Sequence, residues 1–223
     1  MSELDIWRYL HVLMFAGWLG ADLGVYIASR KAMDSSLQFE TRLMLLHTAL
    51  RIELIPRTMW KAALPLGVML SRELGLIEIS DAGIAMVWIG TIIWWAVSMT
   101  SAFYYYNDFG KKLTKINNWL VGIAGAAMIA VAWASSMGKG PFNPDASWLL
   151  WKFGLYGLIQ FTALGIIIGF GPVGDVFMRL DDEGSSPKLE GEIRRSFNIA
   201  AIPIWATYTL IALVALIGTV KIF

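Results

Sequence analysis

Long apolar runs separated by short polar segments dominate the chain. The pattern predicts six membrane-spanning helices, over residues 7–28, 42–70, 83–106, 119–137, 148–173 and 197–220. Each run is about as long as the roughly 20 residues that an α-helix needs to cross a bilayer. The runs are continuous, whereas barrel strands alternate apolar and polar positions. We therefore predict an all-α, polytopic membrane helix bundle that forms a single integral membrane domain over residues 1–223.

The composition agrees with a membrane protein. Hydrophobic residues make up 57% of the 223 positions and charged residues 16%, whereas soluble domains average about 45–50% apolar and about 25% charged residues. The absence of cysteine excludes a disulfide scaffold. A net charge of +1 provides no field that would attract nucleic acid. The lipid bilayer is therefore the expected environment, and nucleic acid is not an expected partner.

Basic residues are concentrated on one side of the predicted membrane. One side holds ten of them: Arg30, Lys31, Arg42, Lys111, Lys112, Lys115, Arg179, Lys188, Arg194 and Arg195. The other side holds four: Arg8, Arg72, Lys139 and Lys221. Because cytoplasmic loops are enriched in lysine and arginine, we predict that both termini face away from the cytoplasm, in a bacterial inner membrane. Residues 181–187, within the polar segment 179–195, are predicted to form a flexible cytoplasmic loop.

Small residues indicate where helices approach each other closely. In the first span they are expected to face a neighbouring helix on the side opposite His11, Phe15, Trp18 and Asp22. The expected contact positions are Gly17, Gly20 and Gly24 in the first span, Gly122, Ala126 and Ala130 in the fourth, and Gly165 and Gly169 in the fifth.

The first span carries a stripe of chemically versatile residues. At about 100° per residue, His11, Phe15, Trp18 and Asp22 fall on one face of a helix. Ionisable residues inside a span are costly and are therefore candidate functional residues. A neutral imidazole such as His11 can ligate a metal or a haem iron, and Trp18 can pack against a flat ligand. Alternatively, His11 hydrogen-bonds at the membrane interface and the aromatic residues are ordinary core.

The second span contains an unusual set of charges. His47, Arg51, Glu53, Arg57 and Lys61 fit within an arc of about 160° on one helix, which predicts a cationic stripe facing the bundle interior. Glu53 is spaced to pair with Arg57, four residues later. The alternative is a partly interfacial helix whose basic side chains reach the headgroups.

Two basic residues of this stripe lack an acidic partner nearby in sequence. Asp22 can pair with Arg51 or with Lys61; otherwise the stripe implies an anionic ligand such as a quinone oxygen, a carboxylate or a porphyrin propionate. Pro56 is expected to kink the helix, since proline removes a backbone donor.

Lys152 opens the fifth span, at the same predicted depth and on the same side as His11. The alternative interpretation is a lysine that reaches the interface from a helix end. The candidate metal ligands are His11 and His47, the two histidines of the chain. Methionine can bind Cu(I), but the 11 methionines are scattered rather than clustered.

Short motifs in four places resemble the HemJ-type protoporphyrinogen oxidase family and its broader relatives, the CopD-type membrane proteins. The resemblance covers about half of the chain, and the third and fourth spans have no clear counterpart. The motifs are Leu10-His11 with Trp18 and Gly20; Glu40-Thr41-Arg42-Leu43 with Pro56, Met59 and Gly67; Trp148 and Lys152; and Arg195-Ser196-Phe197-Asn198 with Pro203 and the ending Lys221-Ile222-Phe223.

The resemblance implies a b-type haem near the outer face, with His11 as the axial ligand and Lys152 tied to activity. It also implies oxidation of a porphyrinogen-like substrate, with electrons passed to the respiratory chain. The chain departs from the family at Thr162, near which the family has a further histidine, and at Ile199, where the family has a glutamate. The predicted catalytic residues are Lys152 and Asp22, and the predicted cofactor-binding residues are His11, Trp18, Arg51, Arg57 and Lys61.

Three functions remain open at this point. The first is a haem-binding, HemJ-like oxidoreductase, whose ligand is a porphyrin or a quinone. The second is a CopD-like metal transport protein that uses His11 or His47. The third is a cofactor-free accessory or assembly subunit, whose uncharged helices contact partner membrane subunits or a second copy of the chain.

Overall fold

The computed structural model describes residues 2–105 and 107–221. Tyr106, at the end of a predicted span, and Ile222 and Phe223 of the carboxyl-terminal motif lie outside the described residues. The helices are α1 (Glu3–Ala32), α2 (Phe39–Ile52), α3 (Leu54–Glu73), α4 (Asp81–Phe103), α5 (Asp108–Ser136), α6 (Ser147–Glu183) and α7 (Pro187–Val220). Within the described part of the chain, the β-structure is limited to one bridge between Ile77 and Phe142.

Five helices, α1, α4, α5, α6 and α7, are long and apolar enough to cross a membrane. This finding confirms the prediction of an all-α integral membrane protein. The second predicted span, 42–70, is not one helix, because it is divided between α2 and α3.

The break between α2 and α3 lies at Glu53, three residues before Pro56. Proline has no backbone N–H, and its ring clashes with the carbonyl four residues earlier, which here belongs to Ile52. Pro56 is instead accommodated in the first turn of α3, where backbone N–H groups lack partners within the helix. The predicted kink is therefore a one-residue break at Glu53, which keeps helical dihedral angles and whose N–H still donates to the Ala49 carbonyl oxygen.

The predicted flexible loop at 181–187 is largely helical. Only residues 184–186 separate α6 from α7, and both helices continue beyond the predicted spans. Gly184 adopts a positive φ of 77° at the end of α6, a conformation that glycine tolerates best. The Ser186 side chain then accepts a hydrogen bond from the Leu189 N–H, and Pro187 begins α7. These are standard signals for starting a helix.

With α2 and α3 counted as one segment, the helices run alternately up and down, so that residues 2 and 221 lie at the same end of the bundle. At that end, which we call the terminal end, the loop after α3 meets the loop after α5 through the Ile77–Phe142 bridge. Lys221 lies over the ring of Trp148 at the same end. α6 packs against both α5 and α7, α1 packs against α2 and α3, and α4 packs against α3 and α5.

Glycines make the closest helix contacts, although not all at the predicted positions. A methyl group added at Gly125 of α5 would lie 2.9 Å from the carbonyl oxygen of Gly157 in α6. The expected stripe of Gly122, Ala126 and Ala130 is on the wrong face, because Gly122 has open space where a Cβ would stand and the two alanines are exposed. Gly169, by contrast, meets α7 at Ala200, as the prediction requires.

A buried ion pair lies where four helices meet at the opposite end, which we call the Arg42 end. Arg42 of α2 donates from Nη1 and Nη2 to both carboxylate oxygens of Glu190 in α7, at 2.7 and 3.0 Å. Its Nε donates to the carbonyl oxygen of Ala32, at the end of α1. The Arg42 side chain is 3% exposed and lies over the Phe177 ring of α6. This residue therefore connects α1, α2, α6 and α7.

We expect Arg42→Ala to destabilise the fold by about 3–5 kcal/mol, because it leaves the Glu190 carboxylate without its cation in a buried place. Thermal unfolding of the detergent-purified protein measures the loss. Arg179→Ala is the matched control, since Arg179 pairs with Glu183 and Glu192 while 41% exposed, and such pairs contribute about 0–1 kcal/mol. Equal losses for the two variants would contradict the structural role of the Arg42–Glu190 pair.

Candidate functional site

The contact between α1 and the α2–α3 pair sets the relative depth of the candidate residues on these three helices. A methyl group added at Gly17 would lie 3.3 Å from Cγ of Met59, and one added at Gly24 would lie 3.8 Å from Cγ2 of Ile52. His11, nearer the start of α1, meets Gly67, further along α3. The two segments are therefore antiparallel and keep one register from the terminal end to the break. The predicted close contact of α1 with a neighbouring helix holds at Gly17 and Gly24 but not at Gly20, which has open space where a Cβ would stand.

His11 lies against the backbone of α3. A methyl group added at Gly67 would stand 3.2 Å from Cε1 of the imidazole, so the absence of a side chain at Gly67 makes room for the ring. The Nδ1 atom of His11 is buried and has no hydrogen-bond partner among the described residues. A buried polar atom normally finds a partner, and an unpartnered imidazole nitrogen is available to bind a ligand.

Lys152 is the charged neighbour of His11. The two side chains interact electrostatically, so the structure brings together the two residues that the sequence placed at equal depth. The lysine packs on α7, where a methyl group added at Gly218 would overlap its Nζ atom. Within residues 2–105 and 107–221, no carboxylate pairs with Lys152. The ammonium group is therefore available to an anionic ligand.

Trp18 belongs to an aromatic core rather than to an open wall beside His11. It is 8% exposed, stacks on Trp60 with ring centroids 6.3 Å apart, and meets the edge of Tyr156 at 6.4 Å. The Tyr156 hydroxyl donates to the carbonyl oxygen of Trp60. As a result, Trp18 fixes the contact among α1, α3 and α6. It lies about two helical turns further from the terminal end than His11.

Lys61 is completely buried, and it lies further from the terminal end than His11. Its side chain has 0% exposure, and its Nζ lies over the rings of Trp60 and Trp94, 4.4 and 5.2 Å from their centroids. Its one hydrogen-bond acceptor among the described residues is the Arg57 carbonyl oxygen, at 3.4 Å. Cation–π contacts offset part of the desolvation cost, but no carboxylate touches this ammonium group in the described part of the chain.

Glu53 and Arg57 form the ion pair that their spacing predicts, at 2.8 Å. Arg57 Nε donates to both carboxylate oxygens of Glu53, at 3.0 and 2.9 Å. Its Nη1 donates to the carbonyl and hydroxyl oxygens of Ser98 in α4, at 3.2 and 3.1 Å. Through Arg57, the pair connects Glu53, at the break between α2 and α3, with Ser98 of α4.

Among the described residues, Asp22 makes no ion pair with Arg51 or Lys61, so the first of the two alternatives for these basic residues is wrong. Its carboxyl group lies instead near the carboxylate of Glu53 and the hydroxyl of Tyr208. That hydroxyl also donates to the Asp22 carbonyl oxygen, at 2.9 Å. The register explains this result, because it places Asp22 beside the break and Lys61 two turns away.

His47 and Arg51 lie on the exposed surface of α2, away from His11. His47 precedes Gly67 by twenty residues, which corresponds to about 30 Å of helical rise. The two histidines therefore do not share a metal. In the described ranges, no group of three or more histidine, aspartate or glutamate side chains could hold a metal ion. The break after α2 divides the predicted cationic stripe into an exposed part and a buried part.

Polar residues that α5, α6 and α7 contribute to the interior were not predicted from the sequence. Asn117 of α5 accepts a hydrogen bond from Trp94 Nε1, at 3.2 Å. Gln160 is completely buried, and its Oε1 lacks a partner among the described residues. A polar amide within a long apolar span was the available signal for Gln160. Tyr156 and Tyr208 gave no such signal, because tyrosine is common in membrane helices.

Comparison with protein-family models, with curated proteins and with solved structures found no significant match.

The different surroundings of Lys61 and Arg57 predict opposite effects on stability. We expect Lys61→Met to change the free energy of unfolding by less than about 1 kcal/mol or to stabilise the protein, because an apolar side chain of similar volume removes an unpaired buried charge. Arg57→Met is expected to cost about 1–3 kcal/mol, because it leaves the Glu53 carboxylate and the Ser98 oxygens without their donor. Thermal unfolding checks both values. A larger loss for Lys61→Met than for Arg57→Met would contradict the description of Lys61 as a buried charge without a counter-ion.

Proposed function

We propose that the chain is a membrane-integral oxidoreductase that binds haem b through His11, as the resemblance to the HemJ-type family implies. The observation that supports this proposal is the pairing of a buried, unpartnered imidazole nitrogen with an unpaired ammonium group in one layer of the bundle. An imidazole can ligate the iron, and an ammonium group can bind a propionate. The donor chemistry of the site therefore fits this cofactor.

The chain would supply ligation, orientation and charge, while a bound haem would supply one-electron exchange. His11 would hold the iron, with its ring orientation set by contact with Gly67. Lys152, positioned against Gly218, would hold an anionic group of the cofactor or substrate. The aromatic layer of Trp18, Trp60 and Tyr156 would close the site from below and keep water from it. Electrons would leave to a membrane quinone or to a partner subunit of the respiratory chain.

We also propose that the terminal end faces away from the cytoplasm of a bacterial inner membrane. The Arg42 end carries ten of the basic residues in loops and helix ends, against four at the terminal end. Cytoplasmic segments show such an excess. The His11–Lys152 layer, which lies towards the terminal end, would then open to the outer half of the bilayer.

An absorbance spectrum tests the haem assignment. After expression with haem precursors, we expect the purified protein to show a Soret band, and His11→Ala to lose most of it because the axial ligand is gone. His47→Ala is the matched control and is expected to retain the band, since His47 is exposed on α2. Gly67→Ala is expected to shift the band, because the added methyl group crowds Cε1 of His11.

Two results would contradict the haem assignment. An unchanged Soret band in His11→Ala would remove His11 as the ligand. A wild-type protein without visible absorbance, co-purifying with a larger complex, would favour the accessory-subunit function instead.

Cysteine labelling tests the orientation, since the chain contains no cysteine of its own. In intact cells, we expect a membrane-impermeant maleimide to label Asp145→Cys, in the exposed loop after α5, and to leave Asp182→Cys, at the exposed end of α6, unlabelled. After the cells are broken, both variants are expected to react. The reverse pattern in intact cells would show the opposite orientation.

A further inference from the structure

A shallow groove lies on the outer face of α7, at the Arg42 end of the bundle. Its volume is about 420 Å³, and it is lined by Gly191, Arg194, Arg195, Asn198, Ile199 and Ile202. All six residues are exposed, whereas the opposite side of the helix, with Ile193, Phe197 and Ala200, is buried against the bundle. The groove therefore faces the surroundings of the protein rather than its interior.

The lining of the groove changes from charged to apolar along the helix. Arg194 and Arg195 are the last charged residues before the apolar run 197–220. Ile199 and Ile202 follow about 6 and 10 Å beyond Arg195 along the helix axis, and they are 51% and 74% exposed. Because α7 is long and apolar enough to cross a membrane, the arginines lie at the level of the lipid headgroups and the isoleucines face the acyl chains.

Gly191 leaves open space beside the two arginines. A Cβ added at this position would meet no heavy atom within 4 Å. At about 100° per residue, Arg194 and Arg195 project to either side of the line that runs along the helix from Gly191 to Ile202. The two guanidinium groups can therefore reach one anionic group in the groove from both sides.

The two arginines form no ion pair within the described part of the chain. Glu190 precedes Arg194 by one turn and interacts with it electrostatically, but both Glu190 carboxylate oxygens accept hydrogen bonds from Arg42. Glu192 is paired with Arg179. The carboxylates nearest in sequence are thus already engaged, and the groove presents two exposed cations that lack a counter-ion.

We propose that this groove binds one anionic phospholipid. Arg194 and Arg195 hold the headgroup phosphate, because guanidinium groups form paired, charge-assisted hydrogen bonds with phosphate oxygens. Asn198, one turn further along α7, is placed to donate to an ester oxygen, and the two isoleucines contact an acyl chain. A zwitterionic headgroup would bring an ammonium group towards two cations, and this repulsion favours a lipid without one.

The position of the groove in the molecule supports the same occupant. The Arg42 end carries ten basic residues in loops and helix ends, against four at the terminal end, and such an excess attracts anionic lipids. A phospholipid presents its phosphate, its ester groups and its acyl chains in the same order as the groove presents its arginines, its asparagine and its isoleucines. The site is independent of the haem assignment, because it lies at the opposite end of the bundle from the His11–Lys152 layer.

Native mass spectrometry of the full-length, delipidated protein in detergent tests the proposal. The protein is titrated with phosphatidylglycerol and, separately, with phosphatidylcholine that has the same acyl chains. We expect the first phosphatidylglycerol to bind more tightly than the first phosphatidylcholine. The double variant Arg194→Gln/Arg195→Gln is expected to weaken phosphatidylglycerol binding by about twentyfold, since each basic residue near an anionic lipid surface contributes about fivefold. Lys111→Gln/Lys112→Gln is the matched control, because it removes two adjacent exposed charges from α5, and it is expected to retain the binding.

Gly191→Leu tests the shape of the groove without changing its charge. The leucine side chain is expected to fill the open space beside the arginines, so that the first bound phosphatidylglycerol is lost. Gly90→Leu is the matched control, since Gly90 is an exposed glycine of α4 where an added Cβ also meets no heavy atom within 4 Å. Should the arginine double variant fail to fold, this pair of variants carries the comparison.

Three results would overturn the proposal. Equal losses in the arginine and lysine double variants would show a general attraction of the basic end for anionic lipid rather than a site. Equal binding of the two lipids by the wild-type protein would remove the role of the arginines in selecting the headgroup. A dimer that requires the arginines and excludes phosphatidylglycerol would show that a second copy of the chain occupies the groove.

Discussion

The antiparallel contact between α1 and the broken α2–α3 pair is the constraint on which the interior of this protein depends. Within a bilayer, charged groups cannot be hydrated by lipid, so each must be paired, shielded or placed where a ligand or proton can reach it. One register, visible at Gly17, Gly24 and Gly67, sets the depth of all these groups. It aligns Asp22 with the break and His11 with Gly67, and leaves Lys61 between them.

The interruption at Glu53 determines which charged side chains of the α2–α3 pair are exposed. An unbroken helix over 42–70 would have carried every basic residue of the stripe along one continuous face. The break at Glu53 divides the stripe, and His47 and Arg51 remain exposed on α2. The less exposed half holds Glu53, Arg57 and Lys61, and both basic residues contact α4, Arg57 through Ser98 and Lys61 through Trp94. At the Arg42 end, the ion pair with Glu190 then holds α2 against α7 although α2 has only 14 residues.

Much of the fold was predictable from hydropathy, which is a local property of each segment. The apolar runs identified the five long helices and the region of the α2–α3 pair. The spacing of Glu53 and Arg57 predicted their ion pair, and the equal depth predicted for His11 and Lys152 agrees with the electrostatic interaction between them. The predicted small-residue stripe on α5 was wrong, because both faces of that helix carry small residues and only packing against α6 selects Gly125.

The amino-acid sequence by itself determined that the chain is a helical membrane protein and which residues are costly to bury. The tertiary structure alone decided how those residues are combined. It placed Asp22 beside Glu53 and Tyr208 rather than beside a cation, and it surrounded Lys61 with tryptophan rings. The physical reason is that burial cost depends on residue type and local hydropathy, whereas pairing depends on the register between helices that are distant in sequence.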